Sequence, residues 1–564
     1  MSRRVLSRVL LPTLLLVPFG AYVVYPLLAT LRTSMTAGGA FSLEYYRALL
    51  DPGNSAAWEA VGNSVLVSLL SVAGSGLVGV LFALVATRWQ FRGRVLFTRI
   101  AVLPVAMPPL VGVIAFLFVF GESGILPRVL REVFKTETFP LALGGMSAIV
   151  AVHVFSFYVY FFLFVSEALR GTDPSLIEAA SGLGSAGWRT FVRVTLPGLR
   201  GPLLGASLLA FMASMASFSA PYVFGGEHRF MTVQIYTSKL NGDVNAAAAM
   251  SFALALVSMG FFLALKLGAS AGMPGAKRGT PRIATPESPG PVGTLLIGAS
   301  ALLLGIILLP MITILLISFA EEGAWTFQIL PERYTVANYA SLLTDSHVFD
   351  PMFNSILMSV LTLAGALLFG VPAAWYVVKR LRPSSGKALD LLLTIPYALP
   401  GTVVGISLIL AFNTGTVFTG GTVLVGTFAI LPLAYWIRSY PLTLRSTVTA
   451  LEQLDNSLIE AGTSCGAGSW RIFRRIVLPL VFPGIVSGSL LLLIACLGEF
   501  VSSVLLYAYT SRPVSVEILA QLRAYNFGGA AAYSVFLLVL IMVLVYAAER
   551  LSGTQPPLGG STKV

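Results

Sequence analysis

Long apolar runs, each about the length of a membrane-spanning helix, recur along the chain and alternate with shorter polar stretches. A helix needs roughly 20 mostly apolar residues to cross the hydrocarbon core of a bilayer. The sequence therefore predicts twelve spans, at residues 9–31, 60–86, 100–120, 141–166, 202–222, 244–267, 292–319, 352–378, 388–412, 422–441, 483–508 and 529–549. This pattern indicates an all-α polytopic membrane protein.

The composition supports this class and excludes two others. Apolar residues make up 56% of the 564 residues and charged residues only 11%, whereas soluble globular domains carry about 25% charged residues. So few charges would not cover the surface of a soluble enzyme of this length. The same apolar content excludes an intrinsically disordered chain.

The distribution of basic residues predicts the orientation of the spans. Cytoplasmic loops of membrane proteins are enriched in Lys and Arg, and the net charge here is +12. With the N-terminus inside, most Lys and Arg fall in cytoplasmic loops and most acids outside. We therefore expect both termini in the cytoplasm, and the basic charge requires no nucleic acid. The basic start at 1–8 is similar to that of a signal peptide, but the following run is long enough to be an uncleaved span.

A stretch without any apolar run divides the chain. Residues 269–291 are rich in Gly, Pro and Ser, a composition typical of a flexible linker, and the alternating topology places them in the cytoplasm. We expect a first domain at 1–268 and a second domain at 292–564. Each would contain six spans.

The two domains repeat each other in sequence. The best-matched segments are DPSLIEAASGLGSAGWRTFVRVTLPG at 173–198 and DNSLIEAGTSCGAGSWRIFRRIVLPL at 455–480, which we call the first and second repeated loops; their offset is 282 residues. Shorter matches pair 63–68 with 354–359 and 103–108 with 395–400. Each domain has an even number of spans, so both enter the membrane in the same sense. They are therefore parallel repeats about a pseudo-two-fold axis along the membrane normal.

The repeated loops are the candidate functional site. Each lies on the predicted cytoplasmic side, between the fourth and fifth spans of its domain. Asp173 before Pro174 is a typical helix start, and Gly184 and Gly466 are expected to end the helix before a second amphipathic stretch. Such a loop could merely connect two spans, or it could be a docking surface for a soluble partner. Its duplication favours docking.

The repeated loops resemble the EAA loop of permease subunits of bacterial ABC importers. That motif reads E-A-A-x3-G-x9-(I/V)-x-L-P, and both loops fit it except at Gly462, which replaces the second Ala of the second copy. The matching residues are Glu178, Ala179, Ala180, Gly184, Val194, Leu196 and Pro197 in the first loop, and Glu460, Ala461, Gly466, Ile476, Leu478 and Pro479 in the second. The resemblance covers nearly the whole chain, as two fused permease domains of the type I importer fold.

This resemblance implies a function and a set of partners. Each loop would be a coupling helix seated on an ATP-hydrolysing subunit, two copies of which would hold ATP and Mg, while a periplasmic binding protein delivers the substrate. Gly462 would make the second coupling helix more flexible. The chain itself would be a multi-pass protein of the bacterial inner membrane, with no catalytic residue and no cofactor of its own.

Two glycine motifs bear on nucleotide binding. The sequence contains no G-x4-G-K-[ST] motif, so ATP hydrolysis is expected on a separate subunit. Residues 74–79 match G-x-G-x-x-G but lie inside an apolar span instead of after a strand. Glycines there predict close helix packing, not dinucleotide binding.

The substrate is indicated by resemblance alone. Fused permeases of this kind most resemble the ferric-iron uptake group, and the tracts at 217–236 and 498–518 look like sequences of that group. Thiamine, polyamine or another small solute are alternatives. His153, His228 and His347 stand singly, without the spacing of metal ligands, so no metal site is predicted on this chain.

Glu499 and Ser217 are the candidates for the translocation path. An acid inside a span costs about 2.5–3.5 kcal/mol on insertion scales, so it normally faces a cavity or a partner. Glu499 is therefore expected to line the path or to hydrogen-bond to a neighbouring span. The repeat places Ser217 at the equivalent position. A secondary carrier of the major facilitator type is the alternative function class, but the sequence predicts no buried acid–base pair for proton coupling.

Overall fold

The computed structural model describes residues 12–13, 15–135, 143–171, 174–185, 187–271, 287–379 and 381–552. Within these residues, nine helices are long and apolar enough to cross a membrane, and two bent helix pairs raise the number to eleven. A further helix, Ile430–Glu452, matches the remaining predicted run. In chain order we label the spans α1 (Leu15–Ser34), α2 (Ser55–Arg88), α3 (Pro109–Phe134), α4 (Gly145–Arg170), α5 (Phe191–Gly198 with Arg200–Met215), α6 (Val244–Ala264), α7 (Pro291–Ile317), α8 (Ser346–Lys379), α9 (Ser384–Ala398 with Gly401–Phe412), α10 (Ile430–Glu452), α11 (Trp470–Leu497) and α12 (Phe527–Ala548).

Shorter elements connect the spans. The short α-helices are Glu44–Leu50, Arg94–Ile100, Pro174–Gly182, Gly187–Thr190, Ser219–Phe224, Met231–Leu240, Ala337–Thr344, Asn456–Ser464, Val501–Leu506 and Val514–Arg523. Single 3-10 turns lie at Leu103–Ala106, Ile395–Ala398, Val417–Thr419 and Tyr509–Ser511. Strands β1 (Thr36–Ala37) and β2 (Ala40–Phe41) form an antiparallel hairpin after α1.

Each predicted span contains a helix, but several spans are not the straight, apolar rods that the pattern suggests. The run predicted at 388–412 bends by 96° within α9, where Pro400 cannot donate a backbone hydrogen bond. The runs predicted as continuous at 202–222 and 483–508 end early, at Met215 and Leu497, and resume as short helices. α10 is less apolar than the other spans because it contains Arg438 and Arg445.

The first helix of each half packs against the other half. α1 lies against α9, and α7 lies against α3. A hydrogen bond of 2.7 Å from the Thr30 hydroxyl to the Ser407 hydroxyl joins α1 to α9 in a buried position. Because each half contributes its first helix to the other, the two halves pack as one unit related by a pseudo-two-fold axis.

The glycines at 74–79 serve helix packing. A Cβ added at Gly74 would lie 2.6 Å from a methyl of Val154, and one added at Gly79 would overlap the carbonyl oxygen of Tyr158. Both contacts are with α4, so glycine lets α2 and α4 approach closely. The structure thus explains this motif without a nucleotide.

The end of the linker is attached to the first half. Residues 272–286, most of the predicted linker, lie outside the described residues. Beyond them, the backbone N–H of Glu287 donates to the carbonyl of Arg88, and its carbonyl accepts from the N–H of Gln90, both at 2.9 Å. The second half therefore begins beside the end of α2.

Candidate docking loops and translocation path

The first repeated loop contains a short helix, Pro174–Gly182, closed by a glycine. Gly184 has φ +77°, which places it in the left-handed region that glycine adopts without strain. The N–H of Ser185 donates to the carbonyl of Ala180 at 3.0 Å, and the N–H of Leu183 donates to that of Ala179 at 3.1 Å. The bond from Ser185 to Ala180 across the left-handed glycine is the 6→1 bond of a Schellman motif, which satisfies a carbonyl in the last turn of a helix. The predicted cap, Asp173, lies outside the described residues.

The second repeated loop has the same geometry around Asn456–Ser464. Gly466 has φ +76°, and the N–H of Ala467 donates to the carbonyl of Gly462 at 3.1 Å. At the other end, the Asp455 carboxylate accepts a hydrogen bond of 2.9 Å from the N–H of Ser457. That bond, with a weaker contribution from the Ser457 hydroxyl, holds the pKa of Asp455 below its usual range. The glycine end predicted for this helix is therefore present, together with a cap at its start.

Packing accounts for the one departure from the motif. A Cβ added at Gly462 would lie 2.8 Å from Cδ1 of Ile476 and 3.3 Å from Cγ1 of Ile472. The equivalent residues of the first loop are the smaller Val194 and Thr190, opposite Ala180. The two loops thus fill the same space with different combinations of side chains. The glycine makes room for larger side chains, a role that the sequence pattern alone did not suggest.

A widened helical turn connects each loop to its span. Phe191–Thr195 and Phe473–Val477 are π-helical, and the motif proline, Pro197 or Pro479, lies two residues after the end of each turn. Proline lacks an N–H and clashes with the carbonyl four residues earlier, and a π turn shifts that carbonyl away. From Trp470 onward, the second loop therefore continues through Pro479 into α11 without a break.

Both loop helices present an uncovered surface. Glu178, Glu460 and both motif glycines are exposed. Large apolar side chains are exposed beside them: Leu183 is 88% exposed and Trp470 is 72% exposed. Each repeated loop therefore exposes a large apolar side chain, at positions that are not equivalent in the repeat, and such exposure is a feature of interaction surfaces.

The two path candidates lie where the fifth span of each half breaks. α5 ends at Met215 and continues as Ser219–Phe224, and α11 ends at Leu497 and continues as Val501–Leu506. Ser217 and Glu499 lie in these breaks. The next residues, Phe218 and Phe500, are equivalent in the repeat and both buried, and their ring centroids are 5.9 Å apart. The pseudo-two-fold axis therefore passes between these rings.

Glu499 is held by charge and by hydrogen bonds. One carboxylate oxygen is ion-paired with Arg438 of α10. The other accepts from the N–H of Ser502 at 2.9 Å and from its hydroxyl at 3.0 Å. Arg438 lies in α10, within the span predicted at 422–441. A partly buried acid–base pair therefore lies within the spans, where none was predicted. Asp390 and Arg445 form another ion pair at 2.7 Å, but the Arg445 side chain is 46% exposed.

Ser217 has a neutral partner. Its hydroxyl lies 2.9 Å from Nε2 of His153, a residue of α4 that is 2% exposed. Ser71 and Ser214 lie 3.0 Å from Nδ1 of the same ring. His153 is thus a hydrogen-bonded buried histidine, as the sequence suggested.

Comparison with known proteins identifies the family. The profile described as "Binding-protein-dependent transport system inner membrane component" matches twice, at residues 75–270 and 366–553. The chain belongs to this family. It is a transport permease subunit that carries two copies of the permease fold, and each copy includes one repeated loop.

Its relatives are ABC transporter permeases. The chain is 30% identical to the probable ABC transporter permease protein y4fN of Sinorhizobium fredii, over 95% of each chain. It is 27% identical to the ferric transport system permease protein FbpB of Actinobacillus pleuropneumoniae, over 96% of this chain and 78% of that protein. It is 28% identical to the molybdate/tungstate transport system permease protein WtpB of Thermococcus kodakarensis, over 40% of this chain and 87% of that protein.

Proposed function

We propose that this permease is the membrane core of an ATP-driven importer, with its repeated loops as cytoplasmic docking surfaces for two ATP-hydrolysing subunits. The observation that carries this proposal is the structural duplication of the loops. Both have the same glycine-closed helix, the same π turn and an exposed apolar side chain. A loop that only connected two spans would not need these features twice.

ATP and Mg bind to the partner subunits, and this chain converts their motion into opening of the path. Closure of the two partners around ATP draws their docking surfaces together and carries the loop helices with them. In the second loop, the stretch after Gly466 is continuous with α11 from Trp470 onward, so motion of that stretch is passed directly to the span. ATP can shift the equilibrium only if the partners contact the loops differently in the two states.

Ferric iron is the proposed substrate, delivered from outside by a periplasmic binding protein. Similarity to FbpB over most of both chains supports it. The match to WtpB supports an oxyanion as the alternative, but it covers one half of the chain only. Thiamine and polyamines are further alternatives. The proposal places the protein in the bacterial inner membrane with both termini in the cytoplasm, in accordance with the distribution of Lys and Arg.

Uptake by proteoliposomes containing the full chain and its ATPase tests the proposal. With the binding protein outside, we expect ferric iron to enter only when ATP is supplied, and a proton gradient alone to have no effect. Gly466→Asp should abolish uptake, while the matched variant Gly468→Asp, at an exposed glycine with ordinary φ, should retain it. Uptake driven by the proton gradient without ATP would instead indicate a secondary carrier.

A further inference from the structure

The breaks in the fifth spans are equivalent in the repeat but are held by different contacts. We call Ser219–Phe224 the first leaf and Val501–Leu506 the second leaf. The backbone carbonyl before each leaf accepts the same hydrogen bond of 2.8 Å, from Thr232 to Ser217 and from Ser515 to Glu499. This shared bond positions both leaves in the same way. The differences lie in the side chains.

The second leaf has charged contacts to its own half. Glu499 is ion-paired with Arg438 and accepts two hydrogen bonds from Ser502, a residue of the leaf itself. The hydroxyl of Ser503, also in the leaf, lies 2.7 Å from that of the buried Tyr435 on α10. Hydrogen bonds to charged groups change an equilibrium by about tenfold to a hundredfold.

The first leaf has weaker contacts at the equivalent positions. Ser217 replaces Glu499, Ser156 replaces Arg438, and Pro221 replaces Ser503. Ser217 makes one neutral side-chain hydrogen bond, to His153. A bond of this kind changes an equilibrium about fivefold. The first leaf is therefore less firmly held to its own half.

Two further contacts involve Tyr222 of the first leaf. Its ring packs edge-on against that of Tyr236 in the same half, with centroids 5.7 Å apart, and its second contact is exposed. The guanidinium of Arg523 donates a hydrogen bond to the hydroxyl of Tyr222 and lies over its ring. This contact joins the leaf to the opposite half, so opening must break it. Solvent screening makes such an exposed contact weak. Neither this exposed contact nor the uncharged ring contact with Tyr236 offsets the charged contacts of the second leaf.

We propose that the two leaves form one gate, closed by contact of Phe218 with Phe500, and that the first leaf opens while the second stays latched by Glu499 and Arg438. This inference rests on the proposed function, since a gate requires a path. It assigns the Phe pair to the narrowest part of that path. The ion pair then has a positioning role, holding the fixed side of the gate.

Hydrogen–deuterium exchange of the full chain in lipid nanodiscs, read by mass spectrometry, tests the proposal. We expect the amides of the first leaf to exchange about tenfold faster than those of the second. In Arg438→Ser/Glu499→Ser, both positions carry the residues of the first half, and no buried charge is left unpaired. The second leaf should then exchange within about twofold of the first.

A matched control keeps the result specific. Asp390→Asn/Arg445→Gln removes the other ion pair of α10, and exchange at α2 reports whether each variant is folded. The control should preserve the difference between the leaves. Equal exchange in the wild type, or a difference that survives Arg438→Ser/Glu499→Ser, would overturn the proposal. The measurement uses neither ATP nor substrate. Its result can therefore be interpreted even if the proposed transport function proves wrong.

Discussion

Replacement of Gly466 by alanine tests why the repeated loops need a glycine. A Cβ at this position would meet no atom within 4 Å, so the substitution causes no clash, and its whole effect comes from the φ of +76°. Holding a residue with a Cβ in the left-handed region costs about 1 kcal/mol, which changes an equilibrium about fivefold. We therefore expect the end of the loop helix to open about five times more often.

The amides that close this helix report the effect. The N–H groups of Cys465 and Ala467 donate to carbonyls of the last turn, so hydrogen exchange at these two positions measures the opening. Gly466→Ala should raise their exchange rates about fivefold, and Gly466→Asn should raise them less because Asn tolerates the left-handed region. The matched variant Gly468→Ala, with ordinary φ and open space, should leave them unchanged. Equal rates in Gly466→Ala and Gly468→Ala would refute the conformational explanation.

Three further predictions concern packing and buried polar groups, each measured by thermal unfolding of the purified chain. Gly462→Ala should destabilise the protein by about 1–2 kcal/mol, because the added methyl group overlaps with Ile476. Adding Ile476→Val, which gives this position the residue of the first loop, should restore the stability. A double variant no more stable than Gly462→Ala would contradict this explanation. Tyr158→Phe and Tyr440→Phe should each lower the free energy of unfolding by about 1–2 kcal/mol. The two hydroxyls are equivalent in the repeat and donate to buried carbonyls at 2.7 and 2.5 Å. Strongly unequal losses of stability would contradict this equivalence. Glu499→Gln should destabilise more than either, since it leaves a partly buried guanidinium without its counter-ion.

The sequence predicted the features that depend on local pattern. Apolar runs of span length locate the helices because burial in lipid requires them to be long and apolar. The repeated loops could be identified because the capping residues and glycines that define them lie close together in the sequence. The closing glycines, Gly184 and Gly466, are both in the left-handed conformation for which a helix end selects glycine.

The sequence did not reveal the features that depend on contacts between distant residues. The ion pair of Arg438 and Glu499 joins residues 61 positions apart, and the positive-inside rule considers position and charge, not partners. The breaks after Met215 and Leu497 lie within apolar runs, so hydropathy could not detect them. The polar residues just beyond them, Ser217 and Glu499, were the available signal.

The loop composition also required the structure for its explanation. Gly462 looked like a defect in the second copy of the motif. Its neighbours Ile472 and Ile476 are ten and fourteen residues away in the chain, and only the fold shows that they occupy the space of the missing methyl group. Compensation of this kind cannot be inferred from a single position.

Labelling of the native Cys465 tests the central claim, that the repeated loops are cytoplasmic docking surfaces for a separate ATPase. Cys465 lies exposed in the second loop, and the other cysteine, Cys496, is buried, so a membrane-impermeant maleimide should report on the loop alone. We expect labelling in inside-out vesicles, none in right-side-out vesicles, and protection when the ATPase subunit is bound. Labelling from the outside, or full labelling with the ATPase bound, would contradict the account.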